Sequence, residues 1–232
     1  MQSRLNLSTE SKQYMFQPPV QIIMKNKKSA SQIYQALIST EYTSKGFLKW
    51  QKHTKITKDY WQKSFYKLKE TTNDTKLHYL QFRILHNTLT TNRSVSKFMP
   101  NQTELCEFCR KTSESIHHLL WHCEIVQNFW KDLQNLLNTR CTHVHNFSFN
   151  EHLVIFGYSE IMRTDEIANL IILLAKYFIY RCKVQKMNPN INHFKNVLYH
   201  RYCVEKHIND GSTKFKNSWG PYINIFRSLI SV

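Results

Sequence analysis

Cys106-Glu107-Phe108-Cys109 is separated by eight residues from His118, and His118 by four from Cys123. This C-x2-C-x8-H-x4-C run constrains the chain more than any other feature. Four soft or borderline donors within 18 residues suit one tetrahedral Zn2+. The Cys pair, two residues apart, grips a metal from a single tight turn. The His and the last Cys follow one or two helical turns later. Four protein ligands leave no position for water or substrate, so the spacing predicts a structural site and not a catalytic one. The plain alternative is a pair of stray thiols beside a core helix. His117 and His122 are alternative donors. His118 and His122, four apart, share a helix face, whereas His118 and Cys123 are five apart. The x4 gap is the usual knuckle spacing and favours His118 with Cys123, leaving His117 and His122 beside the site or facing solvent.

What surrounds this run reads as helix. The 232 residues contain four glycines and five prolines, too few for a turn-rich all-β fold. The expected class is mostly α, a helical domain with an embedded CCHC zinc knuckle. Residues 1–28 read as a loose basic lead-in with Pro18-Pro19, and 29–100 as a helical segment with a short helix at Gln32–Ile38. Residues 101–138 hold the knuckle and the helix after it, and 139–232 a C-terminal helical segment. Trp61, Phe65 and Leu68 recur at helical spacing behind Thr57, a plausible N-cap. From Asp74, Leu77, Leu80, Ile84 and Leu85 make a second stripe. Ser113 is expected to cap a helix through His118, and Ile125, Phe129, Trp130, Leu133, Leu136 and Leu137 continue helically. Residues 152–156 read as a short buried strand closed by Gly157. Thr164 caps a helix, with Asp165 and Glu166 in its first turn, that is apolar almost all round from Ile167 to Ile179 and must therefore be central. A helix over Asn192–Ile208 turns Phe194, Val197, Leu198 and Tyr202 inward. The last helix starts at Pro221, with Tyr222, Ile225, Phe226 and Leu229 on one face.

Charge narrows the partner. Lys and Arg outnumber Asp and Glu by 32 to 16, for a net charge of +16, and nucleic acid is the partner such a surface selects. Lysines 45, 49, 52, 55, 58, 63, 67 and 69 share their stretch with one acid, Asp59. Lys63, Lys67 and Lys69 fall away from the Trp61–Leu68 stripe and are candidate phosphate contacts. Lys176, Arg181, Lys183 and Lys186 form a second candidate cluster, and Arg83 and Arg93 complete the set. An ordinary solvated helix face is the bland reading of the first group. The opening Met1-Gln2-Ser3-Arg4 has no apolar signal segment, so six Cys are expected as thiols in an intracellular chain, nuclear or cytoplasmic. Cys141, Cys182 and Cys203 are simply small buried hydrophobes. No stretch is long and apolar enough to span a membrane.

Catalytic signatures are missing. Neither a G-x-x-x-x-G-K-[ST] loop nor G-x-G-x-x-G occurs. The five aspartates, at 59, 74, 132, 165 and 210, are too scattered for a two-metal carboxylate site. No G-x-S-x-G elbow is present. The chain is expected to be no enzyme and to take no small-molecule substrate.

Several separated segments carry a resemblance. They are Tyr60-Trp61-Gln62-Lys63, Leu80-Gln81-Phe82-Arg83-Ile84-Leu85-His86, Leu105-Cys106-Glu107-Phe108-Cys109, Ser115-Ile116-His117-His118-Leu119-Leu120-Trp121-His122-Cys123 and Phe129-Trp130. Ile155-Phe156-Gly157, the apolar helix from Ile167, Val204-Glu205-Lys206, Phe215 and Trp219-Gly220-Pro221 follow in order. Over roughly residues 31–228 the chain resembles the C-terminal region of LINE-type (non-LTR) retrotransposon reverse transcriptases, which contains a zinc-binding knuckle. The resemblance implies Zn2+ on Cys106, Cys109, His118 and Cys123. It also implies binding of element RNA or target DNA beside a polymerase during target-primed reverse transcription. The palm, fingers and endonuclease of such proteins have no counterpart here. The chain then reads as the tail of a polyprotein, a truncated copy or a separately encoded remnant. A module that docks on a reverse transcriptase core or a host factor is the rival expectation.

Overall fold

A computed structural model describes residues 43–99, 101–141, 147–157, 166–209 and 211–226. The expected lead-in, the helix at 32–38, the Thr164 cap with Asp165, and Leu229 lie outside them. From Lys45 onward the described residues form one unit, mostly helical. Helix α1 (Lys45–His53) is one that the sequence pattern leaves unassigned. It buries Phe47 and Trp50 and approaches the backbone at His86 so closely that a Cβ on Gly46 would lie 2.5 Å from His86 Cα. The expected cap at Thr57 holds, and Asp74 caps the next helix in the same way. Thr57 accepts the Tyr60 amide at 3.1 Å and opens α2 (Lys58–Thr71). Asp74 accepts the amides of Lys76 and Leu77 and opens α3 (Thr75–Leu85). Each cap satisfies amides that a helix start leaves without partners. At the far end of α3 two indoles serve the same need. Trp50 Nε1 donates to the Ile84 carbonyl and Trp61 Nε1 to the Leu85 carbonyl, both at 3.0 Å.

The short α4 (Asn92–Val95) is followed by the knuckle and α5 (Glu124–Arg140). Residues 152–156, expected as a strand, belong to α6 (Glu151–Phe156). Asn150 caps it by accepting the Leu153 amide at 2.8 Å, and Gly157, at φ 67°, closes it in the left-handed conformation glycine favours. An apolar run this short has no period that separates helix from strand, and the local caps decide.

Helix α7 (Glu166–Val184) is central, as its all-round apolarity requires. It packs on α2, α3, the knuckle, α8 (Ile191–Ile208) and α9 (Thr213–Trp219). The last of these is a second helix that the sequence pattern leaves unassigned. On α8, Phe194, Leu198 and Tyr202 are buried as expected, whereas Val197 stays on the surface. A 3-10 turn over Gly220–Phe226 buries Tyr222, Ile225 and Phe226. Arg201 on α8 reaches Asp74 at 3.1 Å and Glu205 at 2.7 Å, and Trp219 Nε1 donates to Glu205 at 2.8 Å. That chain of contacts ties α8 and α9 to the start of α3. One hydrophobic core runs through the knuckle and the helices on both sides of it. No strand occurs among the described residues, only an isolated antiparallel bridge between Leu105 and Ser113.

Candidate metal centre

The bridge builds the first half of the site. It folds residues 105–113 back on themselves, with the Cys106 amide donating to the Thr112 carbonyl at 2.8 Å. The Arg110 amide donates to the Cys106 carbonyl at 2.9 Å, and Arg110 takes φ 52° to complete the turn. Both Cys106 and Cys109 project from this one turn. The second half is a short helix. Its cap is Ser115, whose Oγ accepts the His118 amide at 3.0 Å. Ser113, the expected cap, is engaged in the bridge instead.

That helix winds as a π-turn over His118–His122, closed by the Cys123 amide on the His118 carbonyl at 2.9 Å. The geometry answers the spacing problem in the sequence. Five residues on an α-helix stand about 140° apart around the axis. An i→i+5 bond winds the chain more loosely, which brings residues five apart much closer to a common side, so His118 and Cys123 meet. Trp130 steadies the turn from α5 by donating to the Leu120 carbonyl at 2.8 Å.

The four donor atoms lie within 4.8 Å of one another. Cys106 Sγ is 3.9 Å from Cys123 Sγ, and Cys109 Sγ is 3.3 Å from His118 Nε2. A zinc tetrahedron with Zn–S about 2.3 Å and Zn–N about 2.0 Å has edges of about 3.8 Å between sulfurs and about 3.5 Å between sulfur and nitrogen. Both separations are close to those edges, so the four residues fit zinc with small adjustments. The Cys106 thiol is pushed up by its hydrogen bond to Cys123 and by burial, while that bond pushes Cys123 down. Burial lowers His118 below the usual imidazole range, which favours the neutral ring a metal needs. Cys106, Cys123 and His118 are buried. His117 and His122 turn instead toward Glu151 on α6.

A buried carboxylate supports the centre, and no sequence motif announces it. Glu114 is wholly enclosed. Its Oε1 accepts the Asn92 amide at 2.8 Å and pairs with Lys183 Nζ at 2.8 Å, and its Oε2 accepts the Glu107 amide at 3.0 Å. It thereby joins the start of α4, the Cys106–Cys109 turn and the C-terminal end of α7. Its one available signal was an acid between two metal-binding halves of a basic chain.

The candidate phosphate contacts separate on folding. Lys176 must be withdrawn. It is completely buried on α7, with Nζ donating to Gln81 Oε1 at 2.5 Å. Burial lowers its pKa to about 7. Lys183 must be withdrawn too, because its ammonium is buried between Glu114 and the Thr90 carbonyl. The reason is common to both: α7 is enclosed along most of its length, so its lysines serve internal partners. Arg83 staples the turn after α3, donating to the Thr88 carbonyl at 2.9 Å and Thr90 Oγ1 at 2.6 Å. Lys63 pairs with Asp59 at 2.8 Å and Lys67 with Glu70 at 3.5 Å. Lys69, Arg93, Arg181 and Lys186 are exposed.

Beside the knuckle, Arg93 converges with residues not singled out in advance. Lys49, Lys52 and His53 of α1, Arg93 and Lys97, and Ser115–His117 line a groove of about 290 Å3. No carboxylate lines it. Its lysines were legible as charge, but α1 had to be recognised as a helix before they could be grouped with Arg93 and Lys97.

Residues 42–130 match the family model described as zinc-binding in reverse transcriptase. The match takes in α1 to α4, all four donors and every residue lining the groove. No curated protein matches the chain.

Proposed function

We propose that this chain is the zinc-organised, non-catalytic nucleic-acid-binding part of a LINE-type reverse transcriptase, from the C-terminal side of its polymerase. The zinc has a structural role: it holds the Cys106–Cys109 turn against the π-turn and so fixes one wall of the basic groove. The observation that carries the reading is that groove. Lys49, Lys52, Arg93 and Lys97 surround it with no carboxylate in its lining, inside the stretch that matches a reverse transcriptase zinc-binding family. Lysines and arginines on a backbone give affinity with little sequence discrimination, which suits element RNA or target DNA held beside a polymerase. The ordered run of segments shared with LINE-type enzymes supports the subclass.

A docking module for a polymerase core or a host factor is the second reading. It is favoured by Phe98 and Met99, which are strongly exposed next to Lys97. An aromatic beside cations also suits stacking on a nucleic-acid base, and salt dependence separates the two.

The test is fluorescence anisotropy with labelled single-stranded RNA and DNA. Four phosphate contacts give a slope of about −2.8 in log K against log salt, so raising salt from 50 to 200 mM weakens binding about 50-fold. Replacing Lys49, Lys52, Arg93 and Lys97 by Gln flattens that slope and weakens RNA and DNA alike. Replacing Arg181 and Lys186 leaves both nearly unchanged. An unchanged slope in the four-residue variant, or binding indifferent to salt, refutes the reading.

A further inference from the structure

The π-turn brings together a second pair of residues that the zinc site does not use. His117 and His122 are also five apart, one position back from His118 and Cys123. The same i→i+5 winding that stacks the zinc pair therefore stacks this pair on the neighbouring side of the turn. Helix α6 supplies Glu151 from its first turn. His117 Nδ1 is 2.5 Å from one carboxylate oxygen, and His122 Nε2 is 3.9 Å from the other. One donor atom from each of the three residues lies within 4.8 Å of the others.

We propose that His117, His122 and Glu151 form a second metal site, distinct from the knuckle, for Zn2+ or a similar borderline divalent ion. Two imidazoles and one carboxylate are the donors such ions take, whereas Mg2+ and Ca2+ favour oxygen shells. Nitrogen and oxygen donors at about 2.0–2.2 Å from zinc stand about 3.4 Å apart. Metal entry thus lengthens the His117–Glu151 contact by about 0.9 Å and draws His122 inward. The His122 side chain is 53% exposed and free to make that movement.

His117 contributes an independent argument. Its Nε2 is buried with no hydrogen-bond partner. If Nδ1–H donates to Glu151, Nε2 is left with an unmatched buried lone pair. A metal on Nδ1 moves the proton to Nε2. The ring's neighbours are Trp50, at 4.5 Å between centroids, and His53, at 5.3 Å. Aromatic faces accept an N–H but offer a lone pair nothing.

The two sites differ in kind. The knuckle is closed by four ligands and largely buried. The second site has three ligands, reaches solvent through His122, and keeps a position for water or a ligand oxygen. Its ion exchanges readily and fastens the knuckle to α6.

The experiment is a titration of the full, zinc-loaded chain with Co2+. One further equivalent should bind without a thiolate-to-cobalt charge-transfer band, because no sulfur is among the donors. His122→Ala and Glu151→Gln should each weaken it at least tenfold, with knuckle zinc unchanged by metal analysis. The exposed position of His122 keeps the fold of that variant intact, which circular dichroism checks. No saturable cobalt, cobalt that brings thiolate bands by displacing zinc, or binding that either variant retains overturns the proposal.

Discussion

Replacing Glu114 by Gln removes one charge from the most enclosed ion pair among the described residues and leaves the surrounding shape unchanged. In the native fold its two oxygens serve the Asn92 amide, the Glu107 amide and Lys183 Nζ. A glutamine retains one acceptor, turns an amide donor toward a neighbouring donor, and strands the Lys183 ammonium. Breaking one side of a buried pair costs about 3–5 kcal/mol. Lys183→Met should cost a similar amount, since it strands the carboxylate. The double variant has no uncompensated charge, so its loss should fall short of the sum by about 2 kcal/mol, near the upper part of the range for coupled neighbours. Urea unfolding of the zinc-saturated chain and its three variants, followed by circular dichroism, measures each value. Additivity within about 0.5 kcal/mol would refute the claim that Glu114 and Lys183 act as a unit. A loss below 1 kcal/mol for Glu114→Gln would show that water or another donor replaces the pair.

Three further outcomes follow from the packing. Cys106→Ser and Cys123→Ser should each lose stoichiometric zinc and expose the 101–123 amides to hydrogen exchange, because structural zinc contributes on the order of 10 kcal/mol to small folded units. Zinc retained at full stoichiometry in both would remove the site. Gly46→Ala drives a Cβ to 2.5 Å from the His86 backbone and should lower stability by about 1–3 kcal/mol, whereas Gly220→Ala, with nothing near its added carbon, should change it little. Lys176 is held neutral in the folded state above its lowered pKa of about 7 and is charged in the unfolded state up to about pH 10.4. Between those values the unfolded chain binds the extra proton, so Lys176's contribution to stability rises with pH. The gap between wild type and Lys176→Met should shift in favour of wild type by about 1.4 kcal/mol per pH unit over that window, and a gap independent of pH would contradict it.

Wherever a signal lay within a few residues, it was legible before any fold was known. The four donors of the knuckle, the cap at Thr57, and the apolar stripes of α2, α3, α5 and α7 all depend on contacts inside one helix or one turn. The match of residues 42–130 to a reverse transcriptase zinc-binding family rests on the same local text. The failures were local in another way. Residues 152–156 were too short to show a period, and Ser113 and Ser115 are equally good caps until the Leu105–Ser113 bridge claims one of them. Helices α1 and α9 carry too few apolar residues to announce themselves and exist because the rest of the chain gives them a surface to pack on.

Charge is where tertiary structure overruled composition. A lysine has the same formal charge in any sequence, but its function depends on what encloses it. Once α7 became the central helix, Lys176 and Lys183 were drawn inward to Gln81 and Glu114, and the second basic cluster broke apart. Arg93 and Lys97 gained Lys49 and Lys52 as neighbours across more than 40 positions of chain. The winding of the knuckle was likewise a tertiary decision. Residue types and spacing determined which four side chains can bind zinc. Only the π-turn, closed from Cys123 back to His118 and braced by Trp130, put residues five apart on a common side, where an α-helix would have held them about 140° apart.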